Sequence, residues 1–171
     1  MLHVSLFGGG SCRVDDRPLP LLTAKTRILL AWLLEHAGVA QPRRVLAELF
    51  WPEHDVRDGL HNVRMALGFL LPLLAAAPGM LTVTAQTITF VPNDLLVVDT
   101  VVFGREGAAC SAHRHRALER CPVCAQRLRN RLEWYVGAFL HGEKLDVAAQ
   151  VVSWVEMSRA RYARQAAESR W

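Results

Sequence analysis

The segment Thr23–Gly38, TAKTRILLAWLLEHAG, constrains the fold more than any other part of the chain. From Ile28 to Leu34 it is apolar nearly all round, so as a helix it has no face to give to water and has to lie inside a core. Thr23 is placed to cap its start and Gly38 to stop it. A chain of 171 residues, 51% of them hydrophobic, has enough apolar surface to enclose such a helix in one ordinary domain or two small ones.

The flanking pattern supplies the partners. In LHVSLFGGGSCRVDDRPLPL, Leu2, Val4 and Leu6 alternate with polar or small residues, Gly8–Gly10 breaks the chain, and Asp15-Asp16 signals a turn, which predicts short strands. A second helix runs from Pro42, suited to a first helical position, to Trp51, and buries Val45, Leu46, Leu49 and Phe50. Asp55 caps a third, which Pro72 ends or kinks. MLTVTAQTITFVPN alternates as a hairpin turning at Ala85-Gln86. From Asp99 onward the pattern is helical: Thr100–Ala109, Pro122 to about Val136, and Val147 to about Ser169. Strands, three helices, a hairpin and an all-α tail predict an α+β winged helix-turn-helix over residues 1–97, then a helical module over 98–171.

Charge is distributed unevenly. Residues 1–100 hold 8 Lys and Arg against 9 Asp and Glu, whereas residues 101–171 hold 12 against 7, so the net charge of +4 comes from the C-terminal part. Met65–Asn93 carries no charge at all, but Pro72, Pro78 and Gly79 interrupt it, and a membrane span is not expected. The N-terminus has no basic stretch with an apolar secretory core, which points to a cytoplasmic protein whose four cysteines are reduced or metal-bound.

Several stretches together resemble a known family. LFGGGSCRVDDRPLPLLTAKTRILLAWLLEHAG, RRVLAELFWPE, HNVRMAL and LTVTAQTITFVP are similar to the OmpR/PhoB-type winged helix of bacterial transcriptional activators. VDTVVFGREGAA, RLEWYVGAFLHG and VVSWVEMSRARY resemble the TPR-like bacterial transcriptional activator domain that follows it in SARP-like regulators and signal-transducing ATPases. The resemblance implies a regulator whose third helix enters the major groove of promoter DNA and whose helical module contacts proteins, with a homodimer as a candidate assembly. Such chains usually continue well past this length, so it also implies a piece of a longer regulator, with an incomplete second domain, or a short stand-alone version.

The third helix departs from the family pattern where it matters. Asn62, Arg64, Ala66 and Leu67 match, but Met65 replaces a polar residue, Gly68 a Ser, Phe69 an Arg, and Leu71-Pro72 a basic pair. A helical wheel puts Leu60, Val63, Leu67, Leu70 and Leu71 inward, and Asp58, His61, Asn62, Met65 and Phe69 outward. Base edges are read by Arg, Lys, Asn or Gln, and affinity needs several phosphate contacts. The candidates are Lys25, Arg27, Arg43, Arg44, Arg57, His61, Asn62 and Arg64. An exposed Met65/Phe69 patch fits a protein contact equally well, so a winged-helix interaction module that does not read DNA is the alternative.

HRHRALERCPVC offers His113, His115, Cys121 and Cys124 as ligands for a structural Zn²⁺, with Pro122 starting a helix whose positive end favours thiolates. Against this, H-x-H before C-x₂-C is not a usual finger spacing, and Arg114, Arg116 and Arg120 crowd it. CPVC resembles redox dithiols but lacks their strand–helix–strand setting. No phosphate-binding loop, nucleophile elbow or acid pair is present, so an enzyme is not expected.

Overall fold

The computed structural model describes residues 1–20, 22–112 and 120–170. Leu2–Ser5 (β1), Ser11–Val14 (β2) and Arg17–Pro18 (β3) pair antiparallel in turn. The β2–β3 turn is made by Asp15 and Asp16 with φ of 45° and 66°. Two successive left-handed residues match the strand twist in a two-residue hairpin, and Asp tolerates that region better than most. A strand not expected from the sequence, Leu96–Val98 (β7), pairs in parallel with β1 and gives the sheet order β3-β2-β1-β7.

Ala24–Glu35 (α1) occupies the centre, with every residue from Ile28 to Leu34 buried. The Thr23 hydroxyl accepts the Thr26 N–H at 3.3 Å, as its cap position predicts. Arg43–Phe50 (α2) begins one residue later than expected. Pro42 is its N-cap and belongs to the short strand Gln41–Pro42 (β4). Val45, expected inside, is exposed, because Leu46, Ala47, Leu49 and Phe50 form the buried stripe.

Val56–Leu73 (α3) starts at Asp55, whose carboxylate accepts the Asp58 N–H at 2.9 Å. Pro72 lies inside its last turn rather than ending it. A proline there removes one hydrogen bond near the terminus, and the chain tightens into a 3₁₀ turn at Leu74–Ala76. The wing consists of Leu81–Val83 (β5) and Thr87–Phe90 (β6), with β4 on the other side of β6. Its tip needs no glycine, since Thr84 Oγ1 accepts the N–H groups of Gln86 and Thr87 at 3.2 and 2.9 Å. Val56–Ala76 is long and apolar enough to cross a membrane, and an 18-residue stretch of it has a mean hydropathy of 1.3 with 39% buried within this fold.

Asp99–Ala112 (α4), Pro122–Trp134 (α5) and Ala149–Ala167 (α6) follow, their ends within a few residues of expectation. The main core cluster runs from Leu2 through α1, α3 and the wing to Ala166. Phe7 is the aromatic pivot, edge-on to Phe103 at 5.3 Å and to Tyr135 and Tyr162 at 5.0 Å each. Arg131, buried in α5, stacks on the Phe103 ring at 4.0 Å and donates to the Phe103 carbonyl and the Ser169 hydroxyl. Gly107 makes room for it, because a Cβ there would come within 2.7 Å of the guanidinium carbon.

Asp99 ties the N-terminal sheet to α4. Its carboxylate accepts the N–H groups of Leu6 and Phe7 at 2.9 Å and of Thr100 at 2.7 Å, while the residue itself is buried. Burial outweighs these bonds and pushes its pKa up from 3.8 to about 6. The folded protein therefore holds this proton more tightly than the unfolded chain, and the Asp99 contribution to stability falls as pH rises from about 4 to about 6. Asp99→Ala strands three donors at a cost of about 3 kcal/mol or more. Urea titrations across this pH range should show a lower midpoint for Asp99→Ala and the loss of that pH-dependent component.

Candidate nucleic-acid interface

The helix-turn-helix is formed by α2 and α3, pressed together where a Cβ on Gly59 would lie 3.1 Å from the Ala47 methyl. That contact leaves the far side of α3 to solvent. Arg57, Asp58, His61, Arg64, Met65, Gly68 and Phe69 are exposed there and Asn62 is half-buried. The inward stripe is Gly59, Val63, Ala66, Leu67, Leu70 and Leu73. Leu71, expected inward, is 48% exposed. It sits at the edge of the buried arc, and Ala66 and Leu73 take the inner positions.

The eight candidate cations and polar groups fall into two sets. Lys25 pairs with Glu53 at 2.6 Å and Asp146 at 3.5 Å, and lies 5.8 Å from the Trp51 ring centre. Arg27 makes a two-pronged contact with Glu143 at 2.5 and 2.7 Å and also donates to the Leu22 carbonyl. These two side chains are neutralised by carboxylates and join the winged helix to the loop before α6, so phosphates would have to displace those partners.

The remaining six stand nearer the open face. Arg43 reaches the Thr84 carbonyl at 3.4 Å, and its backbone N–H donates to Gln86 at 2.8 Å, so the start of α2 and the wing tip adjoin. Arg44 forms an exposed i,i+4 pair with Glu48 at 3.2 Å, which is worth little in water. Among the described residues no ion pair engages Arg57 or Arg64, and His61 and Asn62 lie on the same helix face. The wing tip, Ala85 and Gln86, is exposed and uncharged.

Apolar surface adjoins this face. Met65 and Phe69 are 50% and 54% exposed. A cleft of about 370 Å³ opens beside them, lined by Leu19, Leu22, Gly68, Phe69 and Pro72 among others. The wheel located Met65 and Phe69; the cleft depends on Leu19, Pro20, Leu22 and Thr23 lying across from α3, which no local pattern announces.

Of the zinc candidates, His113 and His115 lie outside the described residues. Cys121 is the N-cap of α5 and Cys124 lies in its first turn, buried against Cys110 of α4, a residue the sequence did not single out. The backbone N–H of Cys124 lowers the Cys121 thiol, while burial raises that of Cys124 to about 11. Among the described residues no three His, Cys, Asp or Glu side chains form a ready-made metal cage.

A sheet, three helices with a helix-turn-helix, a wing and a following set of helices define a winged-helix protein with an appended helical segment. Mycobacterium tuberculosis EmbR, solved in complex with a low affinity phosphopeptide, shares this fold with a TM-score of 0.73 over 98% of the present chain, at 22% identity. The present chain spans 43% of that EmbR chain. No protein-family model and no curated protein matches the sequence.

The α2–α3 contact is the mechanical basis of the face. Gly59→Val adds a Cβ about 3.1 Å from the Ala47 methyl, with two methyl groups beyond it, and should cost about 1–3 kcal/mol, read as a lower thermal or urea midpoint.

Proposed function

We propose that this chain is a transcriptional regulator, or the N-terminal part of one, whose winged helix docks weakly on double-stranded DNA and whose helical segment takes protein partners. The observation that carries the proposal is the solvent-facing side of α3, where Arg57, His61, Asn62 and Arg64 stand beside the start of α2 and the wing. A helix of about 18 residues braced by a second helix is the element that enters a major groove in such folds. His61 and Asn62 would face base edges, and Arg43, Arg44, Arg57 and Arg64 would hold phosphates. Lys25 and Arg27 would contribute only by leaving their carboxylates.

The fold shared with EmbR supports a regulator, and the OmpR/PhoB-type resemblance of the sequence supports DNA as the target. EmbR binds a phosphopeptide, which favours a protein partner here too. Its helical segment would be TPR-like and the protein cytoplasmic. Few free cations mean few released counterions, so affinity depends on a second copy or a partner. The exposed Met65 and Phe69, with the cleft beside them, favour a second reading, a protein-contact surface in place of base recognition.

A salt-dependent titration with duplex DNA separates the two. On the DNA reading, replacing Arg43 and Arg64 together by Ala weakens binding to all sequences and flattens the plot of log K against log salt by about 2. Absence of binding at low salt, or indifference to the double substitution, leaves the protein-contact reading.

A further inference from the structure

Gly68 is an exposed glycine inside α3, and no atom lies within 4 Å of where its Cβ would stand. Its φ is not positive, so neither packing nor backbone conformation requires a glycine there. In a helix interior glycine is less favourable than alanine, and Gly68 therefore weakens α3 with no return inside the fold. What it leaves is a shallow step in the outer surface, with Met65 one turn before it and Phe69 directly after it, both exposed. A missing side chain at such a place lets a partner approach the helix backbone closely.

His61, Met65 and Phe69 follow at four-residue intervals and form one row along the solvent side of α3. At a rise of 1.5 Å per residue, Met65 and Phe69 are roughly 6 Å apart along the axis, about two base-pair steps of 3.4 Å. Arg57 and Arg64 flank the row on one side and Asn62 borders it on the other. The acid of α3, Asp58, is confined to its first turn. The apolar pair is thus bordered by cations, which suits a polyanion that carries apolar groups of its own. Duplex DNA is such a partner. In its major groove the base pairs show hydrogen-bond donors and acceptors, together with the C5 methyl group of thymine.

We infer that α3 reads thymine methyl groups, with Met65 and Phe69 against two thymines about two base pairs apart and Asn62 on an adenine edge. The inference rests on the proposed docking of α3 on DNA and names the sequence class selected there, A·T-rich duplex. The step at Gly68 brings the base edges close enough for the two side chains to be buried against them. Cations set affinity for any sequence, and the methyl contacts set the choice among sequences. A reading face poor in charge is then suited to its target, because burial of apolar groups supplies the discrimination.

Two pools of random-sequence duplex, one made with thymidine and one with deoxyuridine, differ only in that methyl group. The full chain should enrich A·T-rich duplexes from the thymidine pool. An enriched duplex should bind about tenfold more weakly once its thymines are replaced by uracil, the loss expected for two methyl groups left unburied. Met65→Ala and Phe69→Ala together should erase that difference, yet keep the slope of log K against log salt, since no cation is removed. Both side chains are exposed, so the circular dichroism spectrum and Tm should stay as they are. Equal affinity for thymine and uracil duplexes, or a difference that survives the double substitution, overturns the inference and leaves the DNA reading standing. No binding of either duplex at low salt overturns the DNA reading and this inference with it, and assigns Met65 and Phe69 to a protein contact.

Discussion

The carboxylate of Asp99 is where the two parts of this chain become one structure. It caps the backbone of Leu6 and Phe7 at the end of β1 and, through Thr100, the first turn of α4. A buried acid facing three N–H groups leaves those donors no other acceptor, so the sheet and the helix cannot separate without stranding them. Directly beyond it, Phe7 inserts among Phe103, Tyr135 and Tyr162, one aromatic from each of α4 and α6 and one from the end of α5. The winged helix therefore does not hang from its helical segment by a linker. The same core that centres on α1 extends through this pivot.

Other contacts across the chain have the same effect. Glu35 at the end of α1 receives the Tyr162 hydroxyl at 2.8 Å and Arg161 at 2.9 Å, both from α6. The Ala148 N–H donates to the Leu49 carbonyl at 2.8 Å, joining the start of α6 to the end of α2. Arg27 and Lys25 reach Glu143 and Asp146 on the loop between α5 and α6. Cations that an isolated winged helix would offer to phosphate are here used to hold the helical segment in place. On the proposed DNA reading, the cations left to phosphate are those of Arg43, Arg44 and one side of α3, on a body joined to the helical segment by these contacts.

Much of the framework was legible locally. The Ile28–Leu34 run, the Thr23 and Asp55 caps and the alternation of the wing residues each have a short-range cause, and each element formed where that cause predicted. Two of the shortest elements were not legible. β4 and β7 are too short to show a period, and they exist because β6 and β1 offer free edges. Helix wheels located Met65 and Phe69 outside but misassigned Leu71 and Val45, which lie at the borders of their buried arcs. At such borders a neighbour's position, not the residue's own hydrophobicity, decides exposure. Among the site residues, His61 was readable on the outer face and Asn62, read there too, is half-buried, whereas Lys25 and Arg27 looked equally available until their carboxylate partners were known.

The amino-acid order alone determined a central apolar helix, a helix-turn-helix with a charge-poor outer face, and a cysteine-bearing second part. Those follow from periodicity, caps and composition, which act over a few residues. Tertiary structure decided what no short-range rule carries: that Glu143, 116 residues after Arg27, neutralises it, that Cys110 lies beside Cys124, and that Asp99 grips the end of β1. Each depends on two distant segments meeting in space, and only the shared core brings them there.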